Sequence, residues 1–166
     1  VILSGPGRQL VAQAALQQSR DTNFRIVTFR RAGRPVSPFV AYAESRGIAC
    51  DVIEETGRLD MSVLPRVREA LARAGATVVQ THGYRPSAIV RSLRALGWYR
   101  GGWVGFYHGA TAEDWKVRLY DALDRRLLRS ADHVVVMSRP QLALFADLGA
   151  RAELVFNAVL EEGAVA

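Results

Sequence analysis

Two histidines carry the sequence's clearest chemical signal. His82 and His108 each end a short apolar run, Val78-Val79-Gln80-Thr81 and Trp103-Val104-Gly105-Phe106-Tyr107, and each is followed by glycine. An imidazole near neutral pH can donate or accept a hydrogen bond, or move a proton. Gly83 and Gly109, lacking a Cβ, let a ligand approach the backbone beside each ring. If the two runs are neighbouring parallel strands, both rings stand at their carboxyl edge, where open α/β sheets bind ligands. His133 precedes its own strand, at the opposite edge, and is assigned no role.

Other residues have both a chemical and a structural explanation. Ser4-Gly5-Pro6-Gly7 precedes a helical pattern, so Gly5 and Gly7 either present backbone N–H groups to a phosphate or form a plain strand-to-helix turn. A dinucleotide fingerprint would need a further glycine where Leu10 stands. Glu113 and Asp114 can orient a sugar hydroxyl, or serve as carboxylates at a helix start. Ser138 opens a Ser-Arg-Pro-Gln capping box and faces the same edge. No histidine pair has helical zinc spacing, one cysteine cannot build a structural zinc site, and no Gly-x-Ser-x-Gly elbow occurs.

The positioning elements alternate. Strands are predicted at Val1–Leu3, Phe24–Phe29, Ile48–Ile53, Val78–Thr81, Trp103–Tyr107, His133–Met137 and Ala152–Phe156. Between them run helical patterns over Arg8–Arg20, Phe39–Arg46, from near Asp60 or Ser62 to Gly75, Arg85–Leu96, Ala112–Ser130 and from Ser138 to Gly149. On the longest, Trp115, Leu119, Leu123 and Leu127 are predicted to form the buried stripe, with Asp114/Arg118 and Asp121/Arg125 as pairs on the wet face. The alternation implies an α/β fold, a Rossmann-like parallel sheet of about seven strands with helices on both faces. It occupies one domain, 1–159, with 160–166 expected to begin a linker.

Composition narrows the classes. With 166 residues, the chain can bury a sizeable core, and no apolar run approaches the length of a membrane span. The net charge of +6 is carried almost wholly by scattered arginines, without the aromatic interleaving of a single-strand binder, so no nucleic-acid partner is expected. Cys50, alone, excludes an internal disulfide and reads as a small core residue. Val1 stands inside an apolar run, as expected of an excised domain.

Taken in order, Val78–His82, Val104–Gly109, Leu127–Ser138, Leu148-Gly149 and Val155–Val159 resemble the N-terminal half of family 4 glycosyltransferases, which have the two-domain GT-B architecture. The resemblance implies a retaining, hexosyltransferase-type enzyme whose N-terminal domain binds a sugar, lipid-linked or polysaccharide acceptor. A C-terminal domain beyond this chain would grip a nucleotide-diphosphate sugar. It implies that His108 is catalytic, bonding a hydroxyl of the donor sugar; His82, Gly83, Gly109, Glu113 and Ser138, by their places at the same edge, are expected to be substrate-binding residues. Gly5 and Gly7 would approach the donor diphosphate. No cofactor or metal is implied. The setting implied is bacterial cell-envelope carbohydrate synthesis in the cytoplasm, with peripheral attachment at the inner membrane face. The family's Gly-Gly-x-Glu-like loop is here Ser4-Gly5-Pro6-Gly7-Arg8, and its Asn-Gly-Val junction is Asn157-Ala158-Val159. Two alternatives compete: an NADP-binding oxidoreductase fragment using Arg30-Arg31, and a non-catalytic binding module on the same fold.

Overall fold

In the computed structural model, the described residues are 5–18, 23–57, 60–109 and 114–156. They divide into two compact units, one within Val1–Gly75 and one within Ala76–Asn157.

The first unit contains α1 (Gly5–Gln18), β1 (Arg25–Arg31), α2 (Pro38–Glu44), β2 (Ala49–Glu55) and α3 (Val63–Arg73). β1 and β2 pair in parallel, from Arg25 opposite Ala49 to Arg31 opposite Glu55. Val11 and Ala14 of α1 pack with Ile26, Ala43 and Ile48 in its core, where Cys50 is half-buried. Ser37 caps α2, its hydroxyl accepting from the Phe39 N–H, and Gly47 takes the positive φ that ends the helix. Gly5 and Gly7 lie in the first turn of α1 rather than in a loop ahead of it. Pro6 suits that turn, where its missing N–H costs no helical bond.

The second unit contains β3 (Val78–His82), α4 (Tyr84–Ala95), β4 (Gly102–Tyr107), α5 (Trp115–Leu128), β5 (His133–Val136), α6 (Arg139–Ala143), a 3-10 turn (Ala146–Arg151) and β6 (Ala152–Leu154). Its four strands are parallel and neighbour one another in chain order. His82 pairs opposite Phe106, and Tyr107 opposite Val136, so β3, β4 and β5 finish at one edge. The amino edge is locked: Asp132 accepts from the Trp103 N–H at 2.8 Å and from Arg94 at 3.0 Å, and its own N–H donates to the Trp103 carbonyl.

The parallel α/β class stands, with six strands among the described residues; the expected strand Val1–Leu3 lies outside them. One helix face is corrected. Trp115, Leu119 and Leu123 of α5 are 68%, 59% and 40% exposed, and only Leu127 of the predicted stripe is buried. The helix instead turns Tyr120, Asp121 and Asp124 inward with Leu128. Partners on α4 and β4 account for this rotation: Tyr120 stacks on Tyr84, Asp121 takes the Tyr107 hydroxyl, and Asp124 comes beside the Ser87 hydroxyl. Gly105 leaves the room that Leu128 fills; a Cβ there would overlap the leucine's Cδ2. Leu96, at the end of α4, is also exposed.

Candidate functional site

The carboxyl edge of the second unit is built from loop residues with unusual backbones. Gly83 stands between β3 and α4 at φ 93° and ψ 166°, a region open essentially to glycine alone. Gly109 follows β4 at φ 73°. These turns bring the two histidines together: Nδ1 of His82 lies 2.9 Å from Nε2 of His108. The rings stack at 5.2 Å between centroids, and His82 also stacks on Phe106 at 4.7 Å.

Burial, with the neighbouring His108, pushes the His82 pKa down to about 4, and burial lowers that of His108. Both rings are therefore neutral near pH 7, and one N–H is shared between them. Nε2 of His82 is buried with no hydrogen-bond partner among the described residues. A buried donor left without an acceptor costs more than a bare lone pair. The favoured arrangement thus places the His82 proton on Nδ1, donating to His108. The His108 proton then sits on Nδ1, free to donate to a ligand.

Gln141 fixes the position of the second ring. Its side-chain amide donates to the His108 carbonyl at 3.1 Å, and its Oε1 accepts from the Met137 N–H at 2.8 Å. The end of β4 is thereby tied to the end of β5. Ser138 caps α6, accepting from the Gln141 N–H at 3.4 Å, so it acts on the site through Gln141.

Beside His108 opens a cavity of about 190 Å³, lined also by Gly83, Tyr84, Gly109, Tyr120, Asp121 and Asp124. The Tyr107 hydroxyl donates to Asp121 at 2.6 Å, and Arg125 pairs with the same carboxylate at 3.0 Å. Burial and the acceptor carboxylate drive the Tyr107 pKa well above its ordinary value. Asp124 is 8% exposed. Its Oδ1 has no partner among the described residues, and burial, aided by the charge of Asp121, raises its pKa to about 6 against the Ser87 hydrogen bond. Behind it, the Trp103 indole N–H donates to Thr81 Oγ1 at 2.8 Å, and the Ser87 hydroxyl lies 3.1 Å from that atom and 2.9 Å from the Gly83 carbonyl. This buried polar chain runs from the middle of the sheet to the glycine after His82.

Of the residues singled out by sequence, His82, Gly83, His108 and Gly109 meet at one edge, with Ser138 one hydrogen bond further out. Glu113 lies outside the described residues, as does the Asn157–Val159 junction. Gly5 and Gly7 belong to the other unit. Sequence reasoning missed Gln141 as a clamp, because its capping role seemed complete, and Tyr84, Tyr107, Tyr120 and Asp124. Asp121 was placed on the wet face. The available signal was the spacing of Tyr120, Asp124 and Leu127 on one helical face.

No curated protein matches the chain. A family model for the glycosyl transferase 4-like domain matches residues 4–157, which take in both histidines, the cavity and the Gln141 clamp. By that match over nearly its whole length, the chain belongs to the glycosyl transferase 4-like domain family and is a glycosyltransferase domain.

Proposed function

We propose that this is the acceptor-side domain of a retaining GT-B glycosyltransferase, working with a C-terminal domain that holds a nucleotide-diphosphate sugar. The supporting observation is the neutral His82–His108 pair at the carboxyl edge. His82 fixes the tautomer of His108, and His108 offers an Nδ1–H to a hydroxyl of the donor sugar. A neutral donor suits this task, because an uncharged hydroxyl gains a directed hydrogen bond without a buried charge. The adjoining cavity, with tyrosine rings and carboxylates, suits a hydroxyl-rich acceptor: carboxylates take hydroxyl hydrogens while ring faces cover C–H surfaces. Leaving-group charge would be stabilised by backbone amides and basic side chains, without a metal. The work of such an enzyme belongs to envelope carbohydrate synthesis at the cytoplasmic side of a membrane.

The test is transfer from a nucleotide-diphosphate sugar by a polypeptide carrying both halves. His108→Ala should lower kcat by at least tenfold with little change in Tm. Wild-type turnover in that variant would remove the assignment. The oxidoreductase alternative is weakened by Arg30, whose guanidinium is engaged by Glu54 at 2.7 Å instead of standing beside Arg31 as a phosphate clamp.

A further inference from the structure

Asp124 is a buried carboxylate that no cation answers. Asp51, Asp121, Asp132 and Asp147 each meet an arginine at 3.2 Å or closer. Asp124, on the inner face of α5, is 8% exposed, and it has no ion pair and no partner for Oδ1 among the described residues. The Ser87 hydroxyl stands beside it, yet the single hydrogen of that group is also within reach of the Gly83 carbonyl at 2.9 Å and of Thr81 Oγ1 at 3.1 Å. No donor is thus reserved for the carboxylate. Its pKa of about 6 nonetheless leaves it mostly ionised near pH 7. It lines the cavity of about 190 Å³ beside His108, together with Tyr84 and Tyr120, whose rings stack at 4.8 Å. Asp121, on the same wall, is already neutralised by Arg125 and bonded by Tyr107.

We propose that Asp124 selects an amino sugar as the acceptor ring, its carboxylate pairing with the ligand's ammonium in the cavity walled by Tyr84 and Tyr120. That the amine is borne by a sugar rests on the acceptor-side function proposed above; the ammonium site itself rests on the cavity and its unanswered charge. An ammonium supplies both things Asp124 lacks, hydrogen-bond donors and an opposite charge, and tyrosine rings favour a cation further. A sugar hydroxyl would supply the hydrogen bond but leave a buried charge uncompensated. A metal ion would need more ligands, and no group of three or more His, Cys, Asp or Glu among the described residues could hold one. The cavity is smaller than the roughly 300–1,000 Å³ of pockets for drug-sized ligands, so it suits a single ring. Because the chain carries a net charge of +6, an ammonium held here is held by its immediate partners and not by diffuse attraction.

The test is a protein-observed NMR titration of the purified chain near pH 7 with glucosamine, galactosamine, mannosamine and kanosamine, each beside its parent hydroxyl sugar. At least one amino sugar should bind about tenfold more tightly than its parent, the gain expected of one charge-assisted hydrogen bond. Acetylating that amine should remove the gain. Asp124→Asn, which keeps the side chain's shape, should remove it too while leaving binding of the parent sugar unchanged, with the fold checked by circular dichroism. In the wild-type chain the carboxyl carbon signal of Asp124 should move with the amino sugar and not with its parent, a readout that stands even where the variant does not fold. Equal binding of every amino sugar and its parent would overturn the proposal. So would a gain that survives Asp124→Asn, or an Asp124 carboxyl signal that the amino sugar leaves in place. These readouts need no sugar transfer, so loss of the amine preference leaves the acceptor-side function intact, and failed transfer leaves the amine preference measurable.

Discussion

The imidazoles of His82 and His108 are joined nitrogen to nitrogen, at 2.9 Å, while the far nitrogen of His82 is sealed without a partner among the described residues. This asymmetry predicts tautomers. Long-range ¹⁵N–¹H correlation spectra near pH 7 should show both rings protonated on Nδ1. A spectrum with His108 protonated on Nε2 would reverse the direction of the shared bond and leave His108 an acceptor toward its ligand. His82→Phe should free the pair, letting His108 sample both tautomers while burial keeps its pKa below the ordinary value.

A second prediction concerns acid. The His82 pKa falls from 6.5 to about 4, so the unfolded chain binds the extra proton between these values and stability drops as pH falls through that window. The Asp124 pKa rises from 3.8 to about 6, so its contribution is present below 3.8 and is lost as pH rises toward 6. Each is worth on the order of 3 kcal/mol, with opposite sign, and the two largely offset one another. In Asp124→Asn one arm is gone. Urea unfolding at a series of pH values should therefore show the variant gaining on wild type by about 3 kcal/mol between pH 4 and pH 6. A difference that does not vary with pH would mean that Asp124 titrates as an ordinary carboxyl.

Gly109 and Gln141 should be energetically coupled. A Cβ on Gly109 would lie 2.7 Å from the Gln141 amide nitrogen, and φ is 73°. Gly109→Ala should cost about 2 kcal/mol, partly backbone and partly loss of the amide bond to His108. In a Gln141→Ala background only the backbone part should remain, giving a coupling of about 1 kcal/mol in a double-mutant cycle. Simple additivity would show that the two residues do not interact.

Gly105 offers a packing test. Gly105→Ala would press against Leu128 and should destabilise by about 1–3 kcal/mol. Leu128→Val in the same chain should recover part of the loss, whereas full additivity would count against this close approach.

The parallel α/β alternation and the meeting of the two histidines were legible because strand periodicity and parallel topology together place residues that follow adjacent strands at one edge. The orientation of α5 was not. Its Trp115, Leu119 and Leu123 stripe obeys helical spacing for burial, yet Tyr84, Tyr107 and Ser87 offered its polar residues better partners inside. Those partners lie outside α5, on α4 and β4, so the spacing within the helix did not decide between its two faces. Gln141 was hidden for a similar reason: its backbone role was visible in four consecutive residues, while its side chain reaches another loop.

The Gln141 side chain uses one amide for two opposite tasks, giving a hydrogen to the carbonyl of His108 and taking one from Met137. An ionised glutamate of the same size would set oxygen against oxygen at the first of these. Spontaneous deamidation at this position would thus turn a staple into a wedge, adding negative charge where the two loops close. An ageing preparation could lose the geometry around His108 while keeping its full mass to within a single dalton.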